Sequence, residues 1–125
     1  MTDPKIKVSA AVVGYLVALD ALGASGGIRT IDVARYLNIK KPSAHSMLGN
    51  LREADIITKD AAGLSRLTLC GAELARRCRE YYDAVTDALA HALPPEADVR
   101  NAACVLVAEL DEATLEKLCT KKRSE

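Results

Sequence analysis

Between Thr30 and Leu69 the order of local signals leaves the chain few folds to choose from. Thr30 stands as an N-cap before Ile31-Asp32-Val33-Ala34-Arg35-Tyr36-Leu37, with Val33, Ala34 and Leu37 on one face and Asn38 at the end. The turn Ile39-Lys40-Lys41 leads into Pro42 at a first-turn position, and Ala44, Met47, Leu48 and Leu51 then form an apolar stripe. Two strand-like segments follow, Ile56 to Lys59 and Leu64 to Leu69, around the turn Asp60-Ala61-Ala62-Gly63. Two short helices joined by a tight turn and followed by a hairpin make a winged helix-turn-helix.

The flanking segments read as helices. Val12, Tyr15, Leu16, Leu19 and Leu22 recur at helical spacing from Ser9, and Gly23-Ala24-Ser25-Gly26-Gly27 stops that helix. A long amphipathic helix runs from Cys70 to Leu93, where Pro94-Pro95 ends it. Helices over 96–109 and 111–119 come next, and Lys121-Lys122-Arg123 reads as a frayed tail. With no Trp or Phe and only four Tyr, the apolar mass is aliphatic, which suits helix packing. The expected fold is mostly α: residues 1–69 a winged helix-turn-helix with a two-stranded wing, 70–120 a helical dimerisation domain, 121–125 a basic tail.

Charge divides along the same line. Residues 29–79 carry ten bases against five acids, and residues 80–118 carry two against nine, which fits a nucleic-acid-facing half joined to one that stays off phosphates. Lys41, Pro42, Ser43, His45, Ser46 and Asn50 are expected toward the major groove, because the last four avoid the apolar stripe and can bond base edges or phosphates. Arg29, Lys40, Lys59 and Arg66 are the expected phosphate contacts. Tyr81, Tyr82, Val85 and Leu89 form an apolar patch on the long helix, read as a homodimer interface.

No apolar run approaches the ~20 residues that span a bilayer, and Met1-Thr2-Asp3-Pro4-Lys5 lacks the apolar stretch of a signal peptide, so a cytoplasmic protein without membrane contact is expected. Cys70, Cys78, Cys104 and Cys119 have no Cys-x-x-Cys spacing and no His nearby in sequence, which excludes a zinc knuckle. In a reducing cytosol they read as small buried hydrophobes. His45 and His91 are the only histidines, and His91 suits the C-terminal end of the long helix.

Four strings carry a wider resemblance: GYLVALDALGASGGIRTIDVARYLNIKKPSAHSMLGNLREADIIT, LSRLTLCGAELA, REYYDAVTDAL and AACVLVAELDEATLEKL. From Val13 to Leu118 the chain resembles the DtxR/MntR family of metal-dependent repressors in its short form, without the SH3-like domain. The resemblance implies a DNA-binding winged helix, a dimerising helical domain and a bound divalent metal, Fe(II) or Mn(II). It places the first-helix ligands on or near Gly14 and Val17, the long-helix His on Arg79, a second-site carboxylate on Asp83 and a further His near Arg100. Of the ligand run Cys104-Val105-Leu106-Val107-Ala108 only Cys104 can coordinate, so Cys104 and Asp83 are the candidate ligands of an incomplete set.

Arg79 and Arg100 suggest what takes the metal's place, since a guanidinium is a fixed cation and Asp83 lies four residues from Arg79 on the same helix face. The leading expectation is thus a dimeric DNA-binding regulator. One alternative is a thiol-responsive regulator built on Cys78, flanked by Arg77 and Arg79; another is a winged helix that binds protein and never touches DNA. An enzyme fits worst, because no nucleophile and base, and no carboxylate pair, stand at a telling spacing.

Overall fold

The computed structural model describes residues 8 to 124, so the reading of Met1 to Lys5 lies outside the described residues. Helix α1 (Ala10–Leu22) is followed by a 3-10 turn (Gly23–Ser25), α2 (Thr30–Leu37) and α3 (Lys41–Glu53). The wing strands β1 (Ile57–Lys59) and β2 (Ser65–Leu67) come next, then α4 (Leu69–Ala92), α5 (Val99–Glu109) and α6 (Glu112–Ser124). This is the expected mostly helical winged-helix architecture with a helical C-terminal half.

Apolar side chains surround α1 on nearly all sides, so it is buried as a spine rather than laid on a surface. Val12, Tyr15, Leu16 and Leu19 enter the winged-helix core with Val33, Leu48, Leu51 and Ile57. Val13 and Val17 enter a second core with Tyr81, Val85, Val107 and Leu115. One helix thus ties the two cores together.

The helix ends follow short polar side chains. Ser9 accepts from the Val12 amide at 3.3 Å, and Asp98 from the Asn101 amide at 3.2 Å. Thr30 is already the first residue of α2, and Arg29 precedes it without a side-chain cap. Residues 94–98 form a turn, with the Ala97 amide bonded to the Pro94 carbonyl at 3.1 Å, so α5 opens at Val99 and not at residue 96. The basic tail is also helical: α6 carries Lys121, Lys122 and Arg123 in its last turn, where cations oppose the helix dipole.

The wing is an antiparallel pair in the register Ile57 to Leu67, Thr58 to Arg66 and Lys59 to Ser65. Ile28 and Ser65 exchange two backbone bonds of 2.8 Å, which pin the wing to the segment before α2. At its tip Asp60 Oδ1 accepts from the amides of Ala62 and Leu64, both at 3.0 Å, and Gly63 takes φ +83°. At its base Thr68 Oγ1 donates to the Asp55 carbonyl at 2.7 Å and accepts from the Gly71 amide at 2.9 Å. Gly71 is obligatory there, because a Cβ would lie 1.9 Å from the Ile56 carbonyl oxygen. No helix among the described residues is long and apolar enough to cross a membrane.

Candidate nucleic-acid interface and the metal position

Helix α3 turns Ala44, Leu48 and Leu51 into the core, so the opposite side faces outward. Lys41, Pro42, Ser43, His45, Ser46 and Asn50 are all exposed, as is Lys40 immediately before the helix. At about 100° per residue they form two flanks. His45 and Arg52 lie on one; Ser43 and Asn50 lie on the other, beside a crevice that runs toward α5.

Gly49, between the flanks, is a residue that sequence reasoning missed. Apart from its chain neighbours and its own helix backbone, no described atom lies within 4 Å of where its Cβ would be, so neither turn geometry nor packing calls for glycine. A glycine in a helix interior costs about 1 kcal/mol relative to alanine. A glycine there leaves the helix backbone open to close approach, and the sequence signal was a glycine opposite the stripe.

The basic groups fall into two classes. Arg29 donates from Nε and Nη2 to Asp32 at 2.9 and 3.0 Å, and Arg66 donates from Nε to Asp60 Oδ2 at 3.0 Å. Both carboxyls are held below their usual range, Asp32 mainly by the bond from Arg29 and Asp60 mainly by the Leu64 amide and then by Arg66. Lys40, Lys41 and Lys59 make no ion pair with any described residue. No described carboxylate offsets their charge beside α3 and on the wing.

The metal positions do not assemble. Among the described residues no group of three or more His, Cys, Asp and Glu side chains could hold a metal ion. Asp83 is exposed on α4, whereas Cys104 is half-buried on α5 beside Gly14, whose Cβ would lie 3.9 Å from the sulfur. Burial pushes the Cys104 thiol up, which disfavours the thiolate that coordination needs. These residues do not fit a divalent ion.

Both arginines are used differently from the expectation. Arg79 does not pair with Asp83; its Nη1 donates to Asp20 Oδ2 at 3.1 Å and so ties α4 to α1. A partner on a packed neighbouring helix outcompetes the one on its own helix. Arg100 lies with its guanidinium 5.8 Å from the centre of the Tyr36 ring, so α5 reaches α2 through one cation, and Tyr82 of α4 lines the same crevice.

Further expectations change, beginning with Cys70, which is exposed and not a buried hydrophobe. Cys78 is not an activated thiol: it is buried in the winged-helix core and pushed up to about 11, with desolvation outweighing Arg77. Tyr81 and Val85 are not a surface patch, for α5 and α6 close over them inside the chain. The Tyr81 hydroxyl donates to Glu116 Oε1 at 2.6 Å, and burial with the nearby carboxylates raises it well above its ordinary value. Tyr82 and Leu89 stay half-buried, while Leu93 and Val105 are exposed. His91 Nδ1 lies 2.7 Å from the Asp87 carbonyl, at the C-terminal end of α4.

No protein-family model matches the sequence, and no curated protein matches it either. Solved structures do. The manganese regulator SloR superposes at a TM-score of 0.75 and 18% identity, over 96% of this chain and 56% of that one. The metal-dependent transcriptional regulator MtsR gives 0.73 and 19%, over 96% and 56%. A hypothetical protein from Sulfolobus solfataricus gives 0.62 and 15%, over 94% and 91%. The chain thus spans a little over half the length of the two regulators. It is built on the fold of the metal-dependent transcriptional regulators.

Proposed function

We propose that this protein is a homodimeric DNA-binding transcriptional regulator that engages duplex DNA without a divalent metal. The observation that carries the reading is the α3 face. Lys40 and Lys41 have no ion-pair partner among the described residues where α3 begins, and Ser43, His45, Ser46 and Asn50 lie exposed around a glycine with open space over it. Lys59 and Arg66 on the wing extend that basic surface. Short polar groups can reach base edges and the cations can neutralise phosphates.

Nothing in the likeness to SloR and MtsR supplies the metal step. Arg79 and Arg100 supply fixed charge and fixed contacts between the halves, so the winged helix is held against α4 and α5 without an ion. Dimerisation belongs to the C-terminal half, around Leu93 and Val105, with Tyr82 and Leu89 contributing their exposed edges. In sedimentation, Leu93→Asp together with Val105→Asp should convert a dimer to a monomer; an unchanged dimer would move the interface elsewhere.

The test of the DNA reading is the salt dependence of duplex binding. Each phosphate contact contributes about 0.9 to the slope of log K against log salt, so Lys40→Ala with Lys41→Ala should flatten it by about 1.8. Affinity at low salt no better than that of an unrelated neutral protein would overturn the proposal.

A further inference from the structure

A crevice of about 970 Å³ opens where α1, α2 and α3 meet α4 and α5. Its size is at the upper end of the roughly 300–1,000 Å³ of small-molecule sites. The chain has four aromatic residues, and three of them, Tyr15, Tyr36 and Tyr82, line this one crevice. Arg100 lines it too, with no carboxylate partner among the described residues. The nearby Asp98 carboxylate is engaged in capping α5.

We infer that this crevice is an effector site for a small planar organic anion, an aromatic carboxylate, with its ring among the tyrosines and its carboxylate on Arg100. The guanidinium rests over the Tyr36 ring, which orients it while leaving its N–H donors for an anion. Aliphatic and aromatic walls suit a flat apolar body, and a metal ion finds no ligand set here.

The site also adjoins the DNA-reading face. Ser46 and Asn50 of α3 line the same crevice, so an occupant would draw on groups assigned to DNA. Ligand and DNA would then oppose each other, each weakening the other by the same factor. That coupling rests on the DNA reading above; binding of the anion does not.

Calorimetric titration of the full chain with 1-naphthoate and with the neutral 1-naphthalenemethanol tests the inference. Naphthoate should bind at one site per chain, the alcohol about tenfold more weakly, and Arg100→Gln should lose the difference. Ala11→Trp, at an exposed position on the crevice wall, should abolish binding of both while keeping the native circular dichroism. No binding of naphthoate, equal binding of acid and alcohol, or binding unchanged in both variants would overturn the site. Saturating naphthoate should weaken duplex binding by at least about fivefold, in line with typical coupling energies. Unchanged duplex binding would overturn the coupling alone, and a chain that takes naphthoate but no DNA would overturn the DNA reading while leaving the site standing.

Discussion

The winged-helix half and the C-terminal half share α1 as a common wall, yet the first is built from backbone-determined pieces and the second from side-chain packing. In the winged helix, position follows from capping and turn chemistry: Asp60 folds the wing tip, Thr68 and Gly71 lock its base, and Ile28 pins its edge. In the C-terminal half, α4, α5 and α6 are held by an apolar core with a few polar ties, Tyr81 to Glu116 and Arg77 to Glu112 among them. The contrast teaches where charge is free to act. Among the described residues Lys40, Lys41 and Lys59 make no ion pair, whereas Arg77 and Arg79 at the helix seams are spent on holding helices together.

Two glycines break or sharpen the contrast most strongly. Gly71→Ala puts a Cβ into the Ile56 carbonyl, and backbone on both sides cannot yield cheaply, so about 3 kcal/mol or more should be lost in urea denaturation. Gly14→Ala, at the seam between α1 and α5, meets only ordinary contacts at 3.8 and 3.9 Å and should gain up to about 1 kcal/mol from helix propensity. Equal effects at the two sites would erase the distinction.

Gly49→Ala should split stability from function. With open space around the new methyl, the fold should gain about 1 kcal/mol while duplex affinity falls by about threefold or more, because the methyl holds α3 away from DNA. A gain in both would remove Gly49 from the interface. Arg79→Ala, by comparison, removes a half-exposed ion pair and should cost about 0.5 kcal/mol.

The smallest effect concerns pH at the wing tip. Asp60 titrates lower in the folded chain than unfolded, so its contribution is complete above its unfolded value near pH 4 and fades as pH falls through the lower folded value. Amide exchange at Ala62 and Leu64 should therefore lose protection only in acid, and Asp60→Asn should remove the acid dependence.

Much of this was legible in the sequence because it is local. Pro42 in the first turn of α3, Gly63 in the wing tip and Pro94 after α4 each act within a few residues, and all three mark boundaries that the structure keeps. Pairings between distant segments were not legible. Nothing local tells that Arg79 meets Asp20 across 59 positions, or that α6 covers Tyr81 and leaves Leu93 and Val105 outside. Arg66 is in the same position: charge alone marks it as a phosphate contact, while the fold first gives it to Asp60. The crevice, too, exists only once Tyr15, Tyr36 and Tyr82 from three helices come together.

The central claim is that fixed arginines and packed helices, rather than a metal ion, hold the DNA-reading face in place. Fluorescence anisotropy of a labelled duplex with chelator-treated protein tests it most directly, with Fe(II), Mn(II), Co(II) and Zn(II) then added singly. The account predicts full affinity in chelator and a change below about threefold with each ion, since no ligand cluster exists among the described residues. A gain of about tenfold or more with any of them, equivalent to about 1.4 kcal/mol of coupling, would contradict it and return a metal site to the neighbourhood of Cys104.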